Sequence, residues 1–283
     1  MKGYSLAKFC KYFMIGLVVL NCYAAKAQEP IAIHQMDSLP KFDHYLFSYI
    51  IDFKDIVLLP TKWQTDDWTL AAFSATSMGV LYMNDQELND WVQTSHSKFG
   101  NDVAKYVIEP WGSGLYSIPL LAAMYGYGKF SNNNRPAWVA LQGAKAVVLA
   151  SFITGGLKMA FHRHRPNESN NPYQYDGIAF SFDHLSLPSG HTALAFALAT
   201  TLSCNYRDKP WVTVVAYSLA TTVGLSRIYQ KQHWASDVLA GALIGYVVGK
   251  SIFRGSEWEK SQRLRLQPFA GGNGGGIRLS YRF

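Results

Sequence analysis

Three pieces of one stretch decide how this chain reads: KMAFHRHRP at Lys158–Pro166, PSGH at Pro188–His191, and SRIYQKQHWASD at Ser226–Asp237. Each lies where an apolar segment meets a loop. Among their residues Lys158, Arg165, Ser189, His191, Arg227, His233 and Asp237 stand at the edges of those segments. Fixed positive charge, hydrogen-bond donors, a nucleophile and an acid are what a phosphate-handling site requires.

PSGH directly precedes the apolar run Thr192–Thr201 and so reads as a helix start. The first turn of a helix carries unsatisfied N–H groups and a partial positive charge, which favour an anion. Gly190 lets backbone approach that anion closely, and the Ser189 hydroxyl can donate to one of its oxygens. His191 then stands beside the anion as a general acid. In the third block His233 and Asp237 are four residues apart, one turn of a helix, so the carboxylate can fix the imidazole tautomer and free the other nitrogen to attack phosphorus. Lys158, Arg165 and Arg227 supply the positive charge that a phosphoryl transition state needs. Taken singly the blocks have plainer readings. PSGH can be a simple cap, Arg163-His164-Arg165 a solvated or lipid-facing anchor, and His233-Trp234 an interfacial pair. The conjunction of all three at alternate helix junctions outweighs those readings.

The pattern K-x6-RP, PSGH, SR-x5-H-x3-D resembles the three-part signature of the type 2 phosphatidic acid phosphatase and vanadium haloperoxidase superfamily. Lys158, Arg165, Ser189, His191, Arg227, His233 and Asp237 match it without a gap, and the resemblance covers roughly Ala137–Phe253. It implies an α-helical core, a phosphohistidine intermediate at His233, His191 as acid for the leaving group, and neither a metal nor another cofactor.

The flanks set the context. Lys2, Lys8 and Lys11 lead into the apolar run Phe13–Leu20 and then Ala25-Lys26-Ala27, the pattern of an export signal over residues 1–27, too short for a comfortable membrane span. Cys22 raises a lipoprotein reading, to which Asn21 is a poor fit. Four of the formal +7 charges lie in this segment, so the rest carries only about +3 and gives no case for nucleic acid. Of three cysteines only Cys204 lies beyond it, so no internal disulfide is expected after cleavage.

Residues 28–64 read as an N-terminal extension in which Asp43–Leu59 is an amphipathic helix, on a membrane surface or packed on the core. Residues 65–255 read as the helical domain. Its apolar segments are Trp68–Met83, Gly112–Tyr127, Trp138–Phe161, Thr192–Tyr206, Trp211–Leu225 and Trp234–Phe253, giving up to six core helices of a membrane-associated all-α bundle. Asp85 and Glu87, at the start of a polar helix, could ligate a metal but are expected to serve the helix dipole. Gly241, Gly245 and Gly249 form a small-residue stripe for close packing on a neighbour. The long loop Asn167–Leu187 is the candidate substrate-recognition lid. Antiparallel connections bring the signature residues to one end of the bundle, while Arg207, Lys209, Lys250 and Arg254 mark the other as cytoplasmic. Residues 256–283 alternate with period two around a glycine run and read as a β-hairpin tail.

The function expected is hydrolysis of a lipid-linked phosphate monoester or diphosphate on the periplasmic side of the cell envelope, with a lipid phosphate and the membrane as partners. A soluble periplasmic acid phosphatase of broad specificity is the alternative, favoured by a mean hydropathy of −0.02. A vanadate-dependent haloperoxidase and a non-catalytic phospholipid-binding envelope protein rank below both.

Overall fold

The computed structural model describes residues 39–261, 264–271 and 274–281, with side chains to residue 255. The export-signal and lipoprotein readings therefore lie outside the described residues, as does the start of the N-terminal extension. Ten α-helices follow in order: α1 (Phe42–Val57), α2 (Thr65–Met83), α3 (Asp85–Gln93), α4 (Lys98–Val103), α5 (Glu109–Ser113), α6 (Ser117–Phe130), α7 (Asn134–Phe161), α8 (Gly190–Asn205), α9 (Pro210–Tyr229) and α10 (Ala235–Ser261). A π-helical turn, Ala104–Ile108, joins α4 to α5.

Local chemistry sets the ends of the long helices. The Asn133 side chain accepts from the Arg135 N–H at the start of α7. At its far end His162 turns into the left-handed region at φ 42°, its N–H returning to the Lys158 carbonyl. Pro210 occupies the first turn of α9, where a missing N–H costs nothing.

Helix α8 is apolar on every side and runs through the middle of the bundle, as such a helix must. Its Ala193 and Ala197 pack with Ala146, Leu149 and Ala150 of α7 and with Val248 and Ile252 of α10. Its Ala195, Phe196 and Ala199 pack with Ala220 and Val223 of α9. The glycine stripe explains how α10 comes so close. A Cβ on Gly241 or Gly245 would collide with the carbonyl oxygens of Ser189 and Ala193, and one on Gly249 would stand 2.8 Å from that of Ala197. Gly241 thus lets α10 lie against the PSGH turn itself.

Helix α1 joins the same core. Tyr49, Phe53 and Ile56 pack on the cluster formed by α7, α8 and α10. Lys145, buried in the middle of α7, donates to Asp52 and Ser48 of α1, each at 2.6 Å. Such a pair fixes where α1 docks more than it adds stability, because both charges give up water. The opposite side of α1 exposes Phe42, Phe47 and Ile50. Packing on the core is the reading that holds, and the helical unit takes in part of the expected extension.

Helices α7 and α9 and the segment Ala235–Gly255 of α10 are long and apolar enough to cross a membrane. The expected segment Gly112–Tyr127 is divided at Gly114, whose φ of 95° is a glycine conformation, between α5 and α6. The tail forms the expected hairpin: β1 (Leu264–Gly271) pairs antiparallel with β2 (Gly274–Tyr281), from Leu264 opposite Tyr281 to Gly271 opposite Gly274.

Candidate active site

The last turn of α7, the start of α8, the end of α9 and the start of α10 meet at one end of the bundle, and contacts between them tie the signature residues together. Lys158 Nζ donates to the Leu185 carbonyl, and its Cε lies 3.8 Å from where a Gly190 Cβ would stand. The Ser189 N–H donates to the Asp237 carbonyl at 3.0 Å. The buried Ser189 hydroxyl accepts from Thr192 Oγ1 at 2.9 Å, which leaves its own proton to be donated. Arg165 Nη1 donates to Gln232 Oε1 at 2.9 Å, next to His233. The Arg227 carbonyl receives the N–H groups of Gln232 and His233 and so wraps the loop that carries His233. All eight predicted site residues, Lys158, Arg165, Ser189, Gly190, His191, Arg227, His233 and Asp237, fall in this one region.

Two features give the region its electrostatic character. Arg165 Nε and Arg227 Nε are buried with no hydrogen-bond partner among the described residues. Buried donors of this kind call for an acceptor, and an anion is the kind of group that would satisfy two arginines. His233 is buried, in the loop between α9 and α10. Burial, with the positive charges of Lys158 and Arg165, pulls its imidazole down to about 3 against the opposing effect of Asp237. It is therefore neutral at pH 7, as a nucleophile must be.

Asp237 does more, and something different, than orient His233. Its Oδ2 is 3.8 Å from His233 Nδ1, an ion-pair separation beyond hydrogen-bond reach. That oxygen accepts instead from Ser186 Oγ at 2.6 Å and the Trp234 N–H at 2.9 Å. Oδ1 accepts from Arg163 Nη1 at 2.5 Å. Arg163 is fully buried and also donates to Ser236 Oγ, to the Pro172 carbonyl and, at 2.7 Å, to Asp85 Oδ2. Asp85 in turn takes the N–H and hydroxyl of Ser236. One expectation is corrected here: the Asp85 carboxylate pairs with a buried arginine rather than serving only the dipole of α3. Arg163 is itself buried, which agrees with setting aside the surface-anchor reading. Both belong to a closed ionic layer, Asp85–Arg163–Asp237, next to His233.

Glu109, at the start of α5, gave no sequence signal beyond an acid before a proline. Its carboxylate lies 3.1 Å from Arg227 Nη1 and 3.7 Å from His191 Nε2. It partners His191 and partly neutralises Arg227. In the loop beyond Arg165, His164, Glu168 and His184 bring three possible metal ligands together. The two imidazoles are stacked at 3.7 Å and 12° from parallel, so their in-plane lone pairs do not meet at a common ion. His164 pairs instead with Asp176 at 2.9 Å and His184 with Glu168 at 3.0 Å, and Glu168 accepts from the Arg165 N–H. That arrangement braces the backbone at Arg165.

Comparison with known proteins supplies a likeness for this helical bundle with its cluster of arginines, lysine and histidines at the junctions of four helices. Residues 130–261 match the model of the PAP2 superfamily. The lipid A 1-phosphatase of Porphyromonas gingivalis is 37% identical over 136 residues, 47% of this chain and 28% of that protein. A probable diacylglycerol pyrophosphate phosphatase of Schizosaccharomyces pombe is 29% identical over 162 residues, 46% of this chain and 58% of that one. The chain thus spans less than two thirds of the length of either curated relative. The solved structure of a transmembrane PAP2 type phosphatidylglycerolphosphate phosphatase from Bacillus subtilis is similar at a TM-score of 0.49 and 20% identity, over 78% of this chain and 98% of that one.

Proposed function

We propose that this protein hydrolyses a lipid-linked phosphate monoester or diphosphate through a phosphohistidine at His233. The observation that carries the reading is the pair of buried, unpartnered arginine Nε groups beside a neutral, buried His233. Arg165, Arg227 and Lys158 hold the phosphate oxygens, with the Ser189 hydroxyl and the first N–H groups of α8 completing the cradle. Burial and Arg227 hold His191 at about 4 in the structure, and the negative charge of a bound phosphate raises it so that it enters the reaction protonated. A ring nitrogen of His233 attacks phosphorus as the bond to the leaving oxygen breaks, and that oxygen takes the proton from His191. Water then attacks phosphorus, gives a proton to His191 and releases His233 with inorganic phosphate. Asp237 positions the His233 loop through its hold on the Trp234 N–H.

Three helices of membrane-spanning length support a lipid substrate, as do the lipid phosphatase activities for which the relatives are named. Arg207, Lys209 and Arg254 stand at the end of the bundle away from the site, where the Arg207 guanidinium covers the Phe253 ring at 4.6 Å. The excess of positive charge there supports a cytoplasmic placement for that end and an outward-facing site, in keeping with an export signal.

The test is phosphate release by the purified protein in detergent containing a chelator. The panel comprises a phosphatidate, a phosphatidylglycerophosphate, a polyprenyl diphosphate, lipid A and a soluble aryl phosphate, with His233→Ala as the control. Release from a lipid phosphate that His233→Ala abolishes is the expected result. Equal or faster release from the soluble ester would transfer the reading to a broad acid phosphatase.

A further inference from the structure

The loop between Lys158 and PSGH carries a feature that the phosphate chemistry does not use. From Gly177 to Phe182 the sequence is GIAFSF, six residues without a charge. Ile178, Phe180 and Phe182 alternate with less exposed neighbours and are 84%, 94% and 85% exposed. Bare apolar side chains of that size, three in one short segment, mark a surface that is covered in use.

The segment is held firmly at its base. The buried His162 ring reaches the Gly177 carbonyl at 3.0 Å and the Ser181 carbonyl at 3.1 Å. The Ala179 N–H donates to the Met159 carbonyl in the last turn of α7. The apolar tip is therefore a fixed extension of α7, which is 28 residues long, about 42 Å at 1.5 Å per residue. A hydrocarbon core is only about 30 Å thick, so a helix of this length projects beyond it. The exposed side of α7 runs through Val148, Phe152, Gly156 and Ala160 into the turn whose Met159 carbonyl receives the Ala179 N–H. The tip is thus fastened to the end of a helix whose exposed side is largely uncharged, with Asp176 and Asp183 flanking the tip in sequence.

We infer that Ile178, Phe180 and Phe182 insert into the acyl region of the membrane leaflet next to the site and seat the cradle at the headgroup level. Lys158 Nζ is bonded to the Leu185 carbonyl on the same loop, so the tip and the phosphate cradle share one support. A lipid phosphate then reaches the site from within its leaflet, while a water-soluble ester gains nothing from the tip. This inference deepens the proposed lipid phosphatase reading and rests on it for the kinetic arm only.

The first arm needs no activity. A nitroxide is placed at Phe180→Cys, with Cys10, Cys22 and Cys204 changed to serine, and the protein is reconstituted in phosphatidylcholine–phosphatidylglycerol vesicles. The expected spectrum shows collision with oxygen exceeding collision with a water-soluble nickel chelate. The reverse order overturns the inference, and so does dipolar broadening between labels, which would mean that a second copy of the chain covers the tip. The second arm compares wild type with the triple variant Ile178→Ser, Phe180→Ser, Phe182→Ser on a vesicle-borne phosphatidate and on its water-soluble dihexanoyl analogue. Three lost apolar contacts should raise KM at least roughly tenfold for the vesicle substrate and leave kcat/KM for the soluble analogue unchanged. An equal loss on both substrates would make the tip structural and refute the inference. A lipid-exposed label on a protein that cleaves no phosphate would sink the phosphatase reading and leave the docking surface standing.

Discussion

Replacing Arg163 by alanine tests whether the ionic layer next to His233 holds the site together. Arg163, Asp85 and Asp237 are all essentially excluded from solvent, and one guanidinium binds both carboxylates, at 2.7 and 2.5 Å. Removing it leaves two buried carboxylates facing each other without a counter-charge, together with an unpaired Pro172 carbonyl. Breaking a buried pair from one side costs about 3–5 kcal/mol. At about 2–4 °C per kcal/mol for a chain of this size, the melting temperature in detergent should fall by roughly 6–20 °C. Unfolding followed by the fluorescence of the buried tryptophans, Trp234 among them, measures it. Arg163→Lys keeps the charge but lacks the planar fork that reaches Asp85, Asp237, Ser236 and Pro172 at once, so an intermediate loss is expected. The double variant Arg163→Met, Asp85→Leu removes the cation and one anion together and should lose less than Arg163→Ala. A melting temperature for Arg163→Ala within a degree or two of wild type would refute the claim that this layer bears on the fold.

Other expectations follow from the same geometry. His233→Ala should abolish turnover and retain part of the phosphate affinity, because the arginines remain; isothermal titration with inorganic phosphate measures the latter, and full activity would remove His233 from the chemistry. Arg227→Lys should lower kcat/KM by about 10²–10³, the scale of losing one oriented donor to a transition state, and a wild-type rate would take Arg227 out of the cradle. Gly245→Ala places a Cβ against backbone of α8 that cannot move aside, so a loss of about 1–3 kcal/mol is expected by chemical denaturation. The pH dependence has a definite sign. The imidazole of His233 is held at about 3, below an ordinary value near 6.5, so the folded state binds fewer protons than the unfolded one. The stability linked to this group is complete above about pH 6.5 and declines as pH falls towards 3. Wild type should therefore lose more melting temperature than His233→Ala between pH 7 and pH 4, and parallel curves would contradict the depressed value.

What the sequence made legible was whatever its own local chemistry determines. The seven signature residues stand at helix ends, where an apolar run gives way to a Gly, a Pro or a charged turn, and those boundaries can be read without tertiary information. The small-residue stripe on α10 was equally plain, because a period of four places three glycines on one helical face. Asp85, Arg163 and Glu109 escaped for the opposite reason. Asp85 and Glu109 each occupy the first turn of a helix, where an acid already has a sufficient local explanation, and Arg163 lies in a basic cluster of ordinary surface appearance. Their partners are 78 and 151 residues away for Asp85, and lie on α8 and α9 for Glu109. No spacing rule reports a contact of that range. Asp237 shows the same division within one residue. Its interval of four from His233 reads as one helical turn, whereas His233 lies in the loop before α10 and the two still come within 3.8 Å; the Asp237 oxygens are taken by Ser186, Trp234 and Arg163, and only the folded chain brings Ser186 and Arg163 to it. Local pattern therefore locates the chemistry at this site, and long-range pairing decides which side chains hold it in place.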